Sequence, residues 1–127
     1  MPARLAPLLA LLFAAPAWSA WTLVTEAGPG AVYADPATLA RNGDMVRMAW
    51  LLDYRNFQRM VEVGYWSKQA VSEFDCAQRR TRNLSVSLRA EHMGQGPSHY
   101  ADDTVREWEA VEPDGVTGKL WQAACGK

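Results

Sequence analysis

The chain has 127 residues, of which 49% are hydrophobic and 21% are charged, and its formal net charge is −1. A charge this close to balance gives no electrostatic basis for binding nucleic acid or an anionic membrane surface. Three arginines, Arg79, Arg80 and Arg82, form only a local cluster, which we interpret as the solvated end of a strand.

The first twenty residues have the layout of a secretory signal peptide, with one cation, an apolar stretch over residues 5–15, and then small residues. The apolar stretch is much shorter than the roughly 20 residues that cross a bilayer, so we expect no stable membrane insertion after cleavage. Small side chains allow a cut after Ala17 or Ser19, and no cysteine lies nearby to carry a lipid. We therefore predict a cleaved signal peptide at 1–20, a single domain at 21–127, and a periplasmic or secreted protein. A buried apolar N-terminal helix is the alternative.

The first part of the predicted domain alternates short strands with turn signals. Residues 21–27 and 31–35 predict two strands separated by a Gly-Pro-Gly turn. Asp35, which precedes a proline, is expected to cap a short helical turn. Asn42 and Gly43 predict a type I′ hairpin turn, because both residue types tolerate positive φ.

Strict alternation of apolar and polar residues marks the longer strands in the middle of the chain. It predicts a strand over 45–54, a polar link over 55–60 and a long strand over 61–76. A further strand is expected over residues 83–90. Its inward-facing side chains are predicted to be Leu84, Val86 and Leu88.

The last third of the chain predicts a loop, a strand and a helix. Glycines and a proline indicate a loop over 91–103, and alternation predicts a strand over 105–111. Asp114 is expected to cap a helix of about ten residues, which is too short to hold alone in water. The buried face of this helix is predicted to be Leu120, Trp121, Ala124 and Cys125. Together these elements predict an α+β fold, an antiparallel meander of about five to six strands with the C-terminal helix packed on one face.

The chain contains two cysteines, Cys76 and Cys125. Two lone cysteines in an oxidising compartment usually pair, so we predict a disulfide that joins the sheet to the helix. A bridge that closes a loop of roughly 50 residues contributes about 4 kcal/mol in the chain-entropy model. A metal or redox pair is the alternative, but it lacks a Cys-x-x-Cys motif and nearby histidines.

Candidate catalytic and metal-binding groups are few and scattered. They comprise two histidines that flank a glycine-rich stretch and three acids downstream: His92, His99, Asp102, Asp103 and Glu107. Their spacing matches no standard ligand pattern, and no serine or glycine motif indicates a nucleophile or a phosphate site. We predict no enzyme, no catalytic residue, no metal and no cofactor, and a hydrolase has the least support.

Aromatic residues are numerous for this length and indicate a binding surface. On a strand the adjacent Tyr65 and Trp66 must face opposite ways, so one of them is expected to be exposed. An exposed ring near Arg47, Arg55 or Lys68 has the composition of a protein-binding surface; burial under a loop or a helix edge is the alternative. Unpaired edge strands offer a second route to a protein partner.

Several segments occur in an order that resembles the surface-adhesin protein E family of small exported bacterial proteins. They are AVYADPATL, LLDYRNFQ, YWSKQAVSEFDC, RRTRNL, HMGQG, Trp108 and LWQAAC, and the likeness covers about Trp21 to Cys125. The resemblance implies an antiparallel sheet, a C-terminal helix and the disulfide between Cys76 and Cys125. It identifies no ligand-binding residue.

The resemblance also implies a function. The founding adhesin of the family is lipid-anchored at the cell surface, binds host extracellular proteins such as vitronectin, laminin and plasminogen, and can form homodimers. We therefore expect a non-enzymatic module that binds a protein partner, with host matrix or serum proteins as candidates. The alternative is a periplasmic inhibitor or envelope-stress protein that inserts its 92–100 loop into a lysozyme-like or proteolytic enzyme. The missing lipidation cysteine favours a periplasmic protein.

Overall fold

Seven β-strands and one α-helix make up residues 20–126, the part of the chain that the computed structural model describes. The strands are β1 (Thr22–Glu26), β2 (Gly30–Asn42), β3 (Met45–Met60), β4 (Val63–Asp75), β5 (Arg80–Arg89), β6 (Ser98–Asp102) and β7 (Glu109–Ala110). The helix is α1 (Val116–Cys125), and a short 3-10 turn lies at His92–Gly94. None of the helical segments in this range is long and apolar enough to cross a bilayer. The predicted signal peptide lies outside the described residues.

Strands that follow one another along the chain are neighbours in the sheet. β1 to β6 pair antiparallel in sequence order, and β7 pairs with the first residues of β5. Short connections are sufficient for antiparallel neighbours, so this order needs no crossover. The predicted fold class, an antiparallel meander with a C-terminal helix, is confirmed, with seven strands where about five to six were expected.

β2 continues through the place where a helical turn was predicted, so that prediction is wrong. Its register against β3 shifts between Asp35 and Ala40. Within this bulge Thr38 Oγ1 accepts a hydrogen bond from the Ala49 amide of β3, at 2.9 Å. The threonine hydroxyl thus takes the place of a backbone carbonyl as hydrogen-bond acceptor between the two strands, and β2 can continue beyond Pro36.

The hairpin predicted at Asn42 and Gly43 is present, but with a different turn. Asn42 still pairs with Met45, so the two turn residues are Gly43 and Asp44. Only Gly43 has a positive φ, 62°. This is the pattern of a type II′ turn, whose first position favours glycine because glycine adopts that φ without steric cost.

β3 extends to Met60, so the polar link predicted over 55–60 is wrong. The strand bulges between Asp53 and Gln58 and then pairs again with β4 up to Met60 against Val63. Backbone hydrogen bonds do not require an apolar face, so a polar segment can complete a strand that begins in the core. The result is a long hairpin of β3 and β4.

An extra residue in β5, Leu84, interrupts the predicted alternation. The register against β4 shifts at this point and turns Asn83 toward the core. There Trp50 Nε1 donates a hydrogen bond to Ser72 Oγ (2.8 Å), which donates to Asn83 Oδ1 (2.7 Å). The prediction that Leu84 shares the inward face with Val86 is wrong, because a one-residue bulge moves side chains to the other face.

The segment after β5 pairs differently from the expectation. β6 forms in the second half of the predicted 91–103 loop, whereas the predicted strand at 105–111 contains only the two residues of β7. Both strands lie against the edge of β5. Pairing at an edge depends on free backbone donors and acceptors more than on side-chain alternation, which explains both errors.

One face of the sheet carries the core, and α1 covers it. The buried core cluster consists of Val32, Ala34, Val46, Met48, Trp50, Ala70, Phe74, Cys76, Leu120, Trp121, Ala124 and Cys125. The predicted buried face of the helix is therefore confirmed. Gly115, rather than the predicted Asp114, takes the N-cap position, and no side chain caps the helix.

The predicted disulfide is confirmed and fixes the end of the helix. Cys76, directly after β4, is bonded to Cys125, and their Cα atoms lie 5.6 Å apart. Next to this bond, Trp121 Nε1 donates a buried hydrogen bond to the carbonyl of Asp75 at 2.8 Å. A covalent bond and a buried hydrogen bond thus hold a helix that is too short to be stable alone.

Candidate binding surface

The hairpin of β3 and β4 ends in an exposed apolar turn. Its two turn residues are Val61 and Glu62, because Met60 pairs with Val63. Val61 has a φ of 54° and is 89% exposed. A β-branched residue rarely adopts this region, and a valine that faces solvent adds nothing to the core. Its position therefore fits a contact role better than a folding role.

We use the term tip surface for Phe57, Met60, Val61, Trp66 and His92. Seven large hydrophobic residues are exposed in the described part of the chain, and three of them, Phe57, Met60 and Val61, lie here. The half-buried Trp66 ring lies 5.5 Å from the Phe57 ring and 4.5 Å from the His92 ring, centroid to centroid. The three rings form a row, flanked by open hollows of 500 Å³ and 660 Å³.

Gly64 positions the first ring of this row. A Cβ atom at position 64 would collide with the ring of Phe57, so the ring lies directly against the bare backbone of β4. Aromatic rings cover strand glycines in this way across strand pairs. The missing side chain at Gly64 thus sets how Phe57 meets Trp66.

His92 is fastened to the sheet through the 3-10 turn. Its Nδ1 lies 2.9 Å from Oδ1 of Asp53, and the same oxygen accepts a hydrogen bond from the Met93 amide (2.9 Å). The Gly94 amide donates to Ser67 Oγ at 2.9 Å. Asp53 and Ser67 are paired residues of β3 and β4, so the turn is held at two adjacent points. A protruding inhibitor loop finds no support, because this part of the segment packs against the sheet.

The prediction that either Tyr65 or Trp66 is exposed is wrong, because both side chains are half-buried. Tyr54 and Tyr65 pack edge to face with centroids 5.5 Å apart. Burial, with a smaller contribution from the Tyr65 phenol, raises the pKa of Tyr54 to about 12. The Lys68 ammonium lies 5.5 Å from the centroid of the Trp50 ring, and burial lowers the pKa of Lys68.

The two arginines that were predicted to lie near an exposed ring, Arg47 and Arg55, have their hydrogen-bond partners elsewhere. Arg47 pairs with Glu73 across β3 and β4, at 3.4 Å. Arg55 donates a hydrogen bond to the carbonyl of Gly28. The ring of Trp66 packs instead with the rings of Phe57 and His92.

The arginines at the start of β5 serve the fold. Arg80 and Arg82 each lie with their guanidinium carbon 4.4 Å from the centroid of the Trp108 ring. Arg80 pairs with Asp75 (2.9 Å) and Arg82 with Glu73 (2.8 Å), and both acids are buried. For these two arginines the interpretation as a solvated strand end is wrong, because they stack on an indole and neutralise buried carboxylates.

The candidate acid–base groups are not brought together. His92 belongs to the tip surface, whereas His99 Nδ1 lies 3.0 Å from the carbonyl oxygen of Gly64. Asp102 pairs with Arg106 at 2.8 Å. Within residues 20–126, no three histidine, cysteine, aspartate or glutamate side chains are grouped so that they could hold a metal ion. That the protein is not an enzyme remains a prediction.

The family model for surface-adhesin protein E matches residues 21–126 of the chain. The chain belongs to the surface-adhesin protein E family. The resemblance drawn from separate segments is thus confirmed over nearly the whole predicted domain. A comparison with curated protein sequences found no match.

Solved structures of protein E from Haemophilus influenzae share the fold of this family member. One is 15% identical in sequence, with a TM-score of 0.67 and a match that covers 86% of each chain. A crystal structure of protein E from a non-typeable strain is 14% identical, with a TM-score of 0.65, over 86% of this chain and 77% of that chain. At this level of sequence identity the likeness shows the fold alone.

Sequence analysis missed three residues of the tip surface in this adhesin E-family protein. Phe57, Met60 and Val61 lie in or beside the segment that was interpreted as a polar link. The available signal was Gly64, a glycine next to two aromatic residues inside a predicted strand. A glycine in that position marks a place where another group approaches the backbone closely.

Proposed function

We propose that this member of the surface-adhesin protein E family is an exported, non-enzymatic module that binds host extracellular proteins through its tip surface. The observation that carries the proposal is three exposed apolar residues at the end of the same hairpin that carries a fixed row of aromatic rings. Exposed apolar side chains that are concentrated in one part of a small domain commonly mark interaction sites.

The charges around the tip surface favour a protein partner over nucleic acid or an anionic membrane. Arg59 is exposed in this region, and so are Glu62 and Glu91, which line the hollows beside the rings. One cation beside two anions gives no net attraction for phosphate groups. Contact then depends on burial of aromatic and apolar surface, to which tryptophan commonly contributes most.

The tip surface is also ordered before any partner binds. The hydrogen bonds to Asp53 and Ser67 hold the 3-10 turn, and the backbone of Gly64 seats the ring of Phe57. Groups that are already fixed lose little conformational entropy on binding, so more of the contact energy is retained as affinity.

The candidate partners follow from the family resemblance, which names vitronectin, laminin and plasminogen. A cleaved signal peptide at 1–20 and a domain at 21–127 would supply the export that this function needs, to the periplasm or beyond it. Homodimer formation, which the resemblance also implies, remains a prediction.

Surface plasmon resonance with immobilised vitronectin, laminin and plasminogen tests the proposal. We expect the oxidised protein to bind at least one of the three. The double variant Phe57→Ser and Val61→Ser should weaken that binding about tenfold or more, because the loss of two apolar contacts costs at least about 1.4 kcal/mol.

The matched control is Val105→Ser, since Val105 is also an exposed valine (54%) but lies in the irregular segment between β6 and β7. Circular dichroism checks that all variants are folded. Full binding by the double variant, or equal weakening by the control, would contradict the role of the tip surface. No binding to any of the three proteins would contradict the choice of partner.

A further inference from the structure

β1 and α1 enclose a groove that shares no residue with the tip surface. Its floor is the buried pair Ala34 and Met48, its walls belong to β1 and to α1, and its volume is 370 Å³. Leu23 (53% exposed) and Leu39 (41% exposed) lie at its rim. The groove therefore has an apolar floor and apolar groups at its rim, with Thr22 and Gln122 as neutral polar members of its walls, and it lies on the same side of the sheet as the helix.

β1 is an edge strand. It pairs with β2 and, within residues 20–126, with no other strand. Alternate N–H and C=O groups of an edge strand point outward at the spacing of an extended chain. An extended polypeptide satisfies such a row, and its side chains alternate between the two faces, so that every second one would point toward the groove.

Lys119 adds a charge to this apolar groove. Among the described residues that line the groove it is the only charged one, and it lies half-buried on α1, across from β1. An ammonium group beside apolar surface attracts a carboxylate more strongly than it would in open water. The preferred peptide is therefore apolar with one acidic group.

We propose that the groove binds an extended peptide segment of another protein, which adds as a strand to the free edge of β1. An apolar side chain of the peptide packs against Leu23 of β1 at the mouth of the groove, and a carboxylate reaches Lys119. This site is independent of the tip surface and provides a second contact of different chemistry, with main-chain hydrogen bonds supplying affinity and the groove supplying selectivity.

Fluorescence anisotropy with a labelled synthetic peptide tests the proposal. The probe is Thr-Val-Thr-Val-Thr-Asp with an amidated C-terminus, so that the aspartate is its only carboxylate. We expect saturable binding, at least fivefold weaker binding when asparagine replaces the aspartate, and no binding when prolines replace the threonines and remove backbone donors.

Two variants in the groove and one outside it make the test specific. Ala123→Trp, at an exposed position of α1 that lines the groove, should fill it and weaken peptide binding at least tenfold. Lys119→Gln should make the aspartate and asparagine peptides bind equally, and it keeps the test decisive if the tryptophan variant folds poorly. Val61→Ser at the tip surface should leave peptide affinity unchanged, so failure here and failure of the proposed function are distinguishable.

Three results would overturn the proposal. One is the absence of saturable binding by the wild-type protein. Another is full peptide binding by Ala123→Trp. The third would come from sedimentation experiments on the free protein. If the wild-type protein is a dimer and Ala123→Trp is a monomer, a second copy of this chain occupies the groove.

Discussion

Among single residues, Asp75 connects the sheet, the arginine cluster and the helix. Its Oδ2 accepts a hydrogen bond from Arg80, and its Oδ1 accepts from the amides of Ala77 and Gln78. Its carbonyl accepts from the indole of Trp121. Burial by itself raises the pKa of this carboxyl group, but the bonds from Arg80, Gln78 and Ala77 outweigh it and hold the pKa below its usual value.

Asp75→Asn should lower the free energy of unfolding by about 2–3 kcal/mol at pH 7, because it leaves the charge of Arg80 without its partner. The pKa of this carboxyl group is lower in the folded state than in the unfolded state, where it is about 4. The group therefore stabilises the folded protein fully above the unfolded pKa, and this contribution is lost as the pH falls through the folded pKa. Urea unfolding should therefore show a difference from wild type that shrinks between pH 7 and pH 2. The exposed Asp103→Asn is the control, and a difference for Asp75→Asn that stays constant with pH would contradict this role.

Gly64→Ala should displace the Phe57 ring from β4 and disturb its contact with Trp66. Because the end of an exposed side chain can move away, we expect a stability loss of less than about 1 kcal/mol. The measurable effect is a change in the NMR chemical shifts of the His92 ring protons, which lie over the Trp66 indole. Gly28→Ala is the control, since a Cβ there meets no other group within 4 Å. Unchanged His92 shifts would show that Gly64 does not set the row of rings.

At the scale of secondary-structure elements, α1 is held to the sheet by the disulfide and by the hydrogen bond of Trp121. The double variant Cys76→Ser and Cys125→Ser removes the bridge and should cost about 4 kcal/mol. For a domain of this size that corresponds to a fall in Tm of about 15–30 °C, measurable by differential scanning calorimetry. A fall of only a few degrees would mean that packing alone holds the helix.

Gly118 allows the start of α1 to lie against the preceding segment. A Cβ at this position would collide with the carbonyl oxygens of Glu112 and Pro113. Gly118→Ala, normally favourable in a helix, should therefore destabilise the protein by about 1–3 kcal/mol in chemical denaturation. Gln122→Ala, at an exposed helix position, serves as the control and should change stability little. Stabilisation by Gly118→Ala would show that the segment before α1 moves freely.

The central strands β3 and β4 could be predicted from the sequence, but the end of β3 and the bulges could not. Apolar alternation marks β3 and β4 because one face of each packs in the core. It carries no information about bulges such as the one after Asp53, where the backbone pairs again without an apolar face. It also misleads at Leu84, where an inserted residue exchanges the two faces of the strand. Pairing partners, rather than side-chain pattern, decide these points.

For the whole molecule, the fold class and the disulfide could be predicted from the sequence, because they depend on features that act over the entire chain. The layout of a signal peptide, two cysteines and a C-terminal apolar face together predicted a sheet clamped to a helix. The tip surface was not accessible in the same way. Trp66 and His92 meet only when the 3-10 turn is fastened to Asp53, which no local pattern indicates.

The molecule as a whole presents two separate surfaces on one rigid frame. The tip surface is aromatic and nearly neutral, and the groove beside β1 combines apolar and neutral polar side chains with a single cation among its described lining residues. The disulfide fixes the helix that forms one wall of the groove, whereas the hairpin of β3 and β4 carries the tip surface. Loss of the disulfide should therefore impair peptide binding at the groove more than protein binding at the tip, which parallel titrations of the serine double variant would measure.

Photo-crosslinking from position 61 tests most directly whether the tip surface contacts a partner protein. One variant carries the photoreactive residue p-benzoylphenylalanine in place of Val61, and a reference variant carries it in place of Val105. Each is irradiated in the presence of the host protein that binds in the surface plasmon resonance experiment. We predict a covalent adduct from position 61 and none from position 105. An adduct from position 105 alone, with binding intact in both variants, would contradict the role assigned to the tip surface.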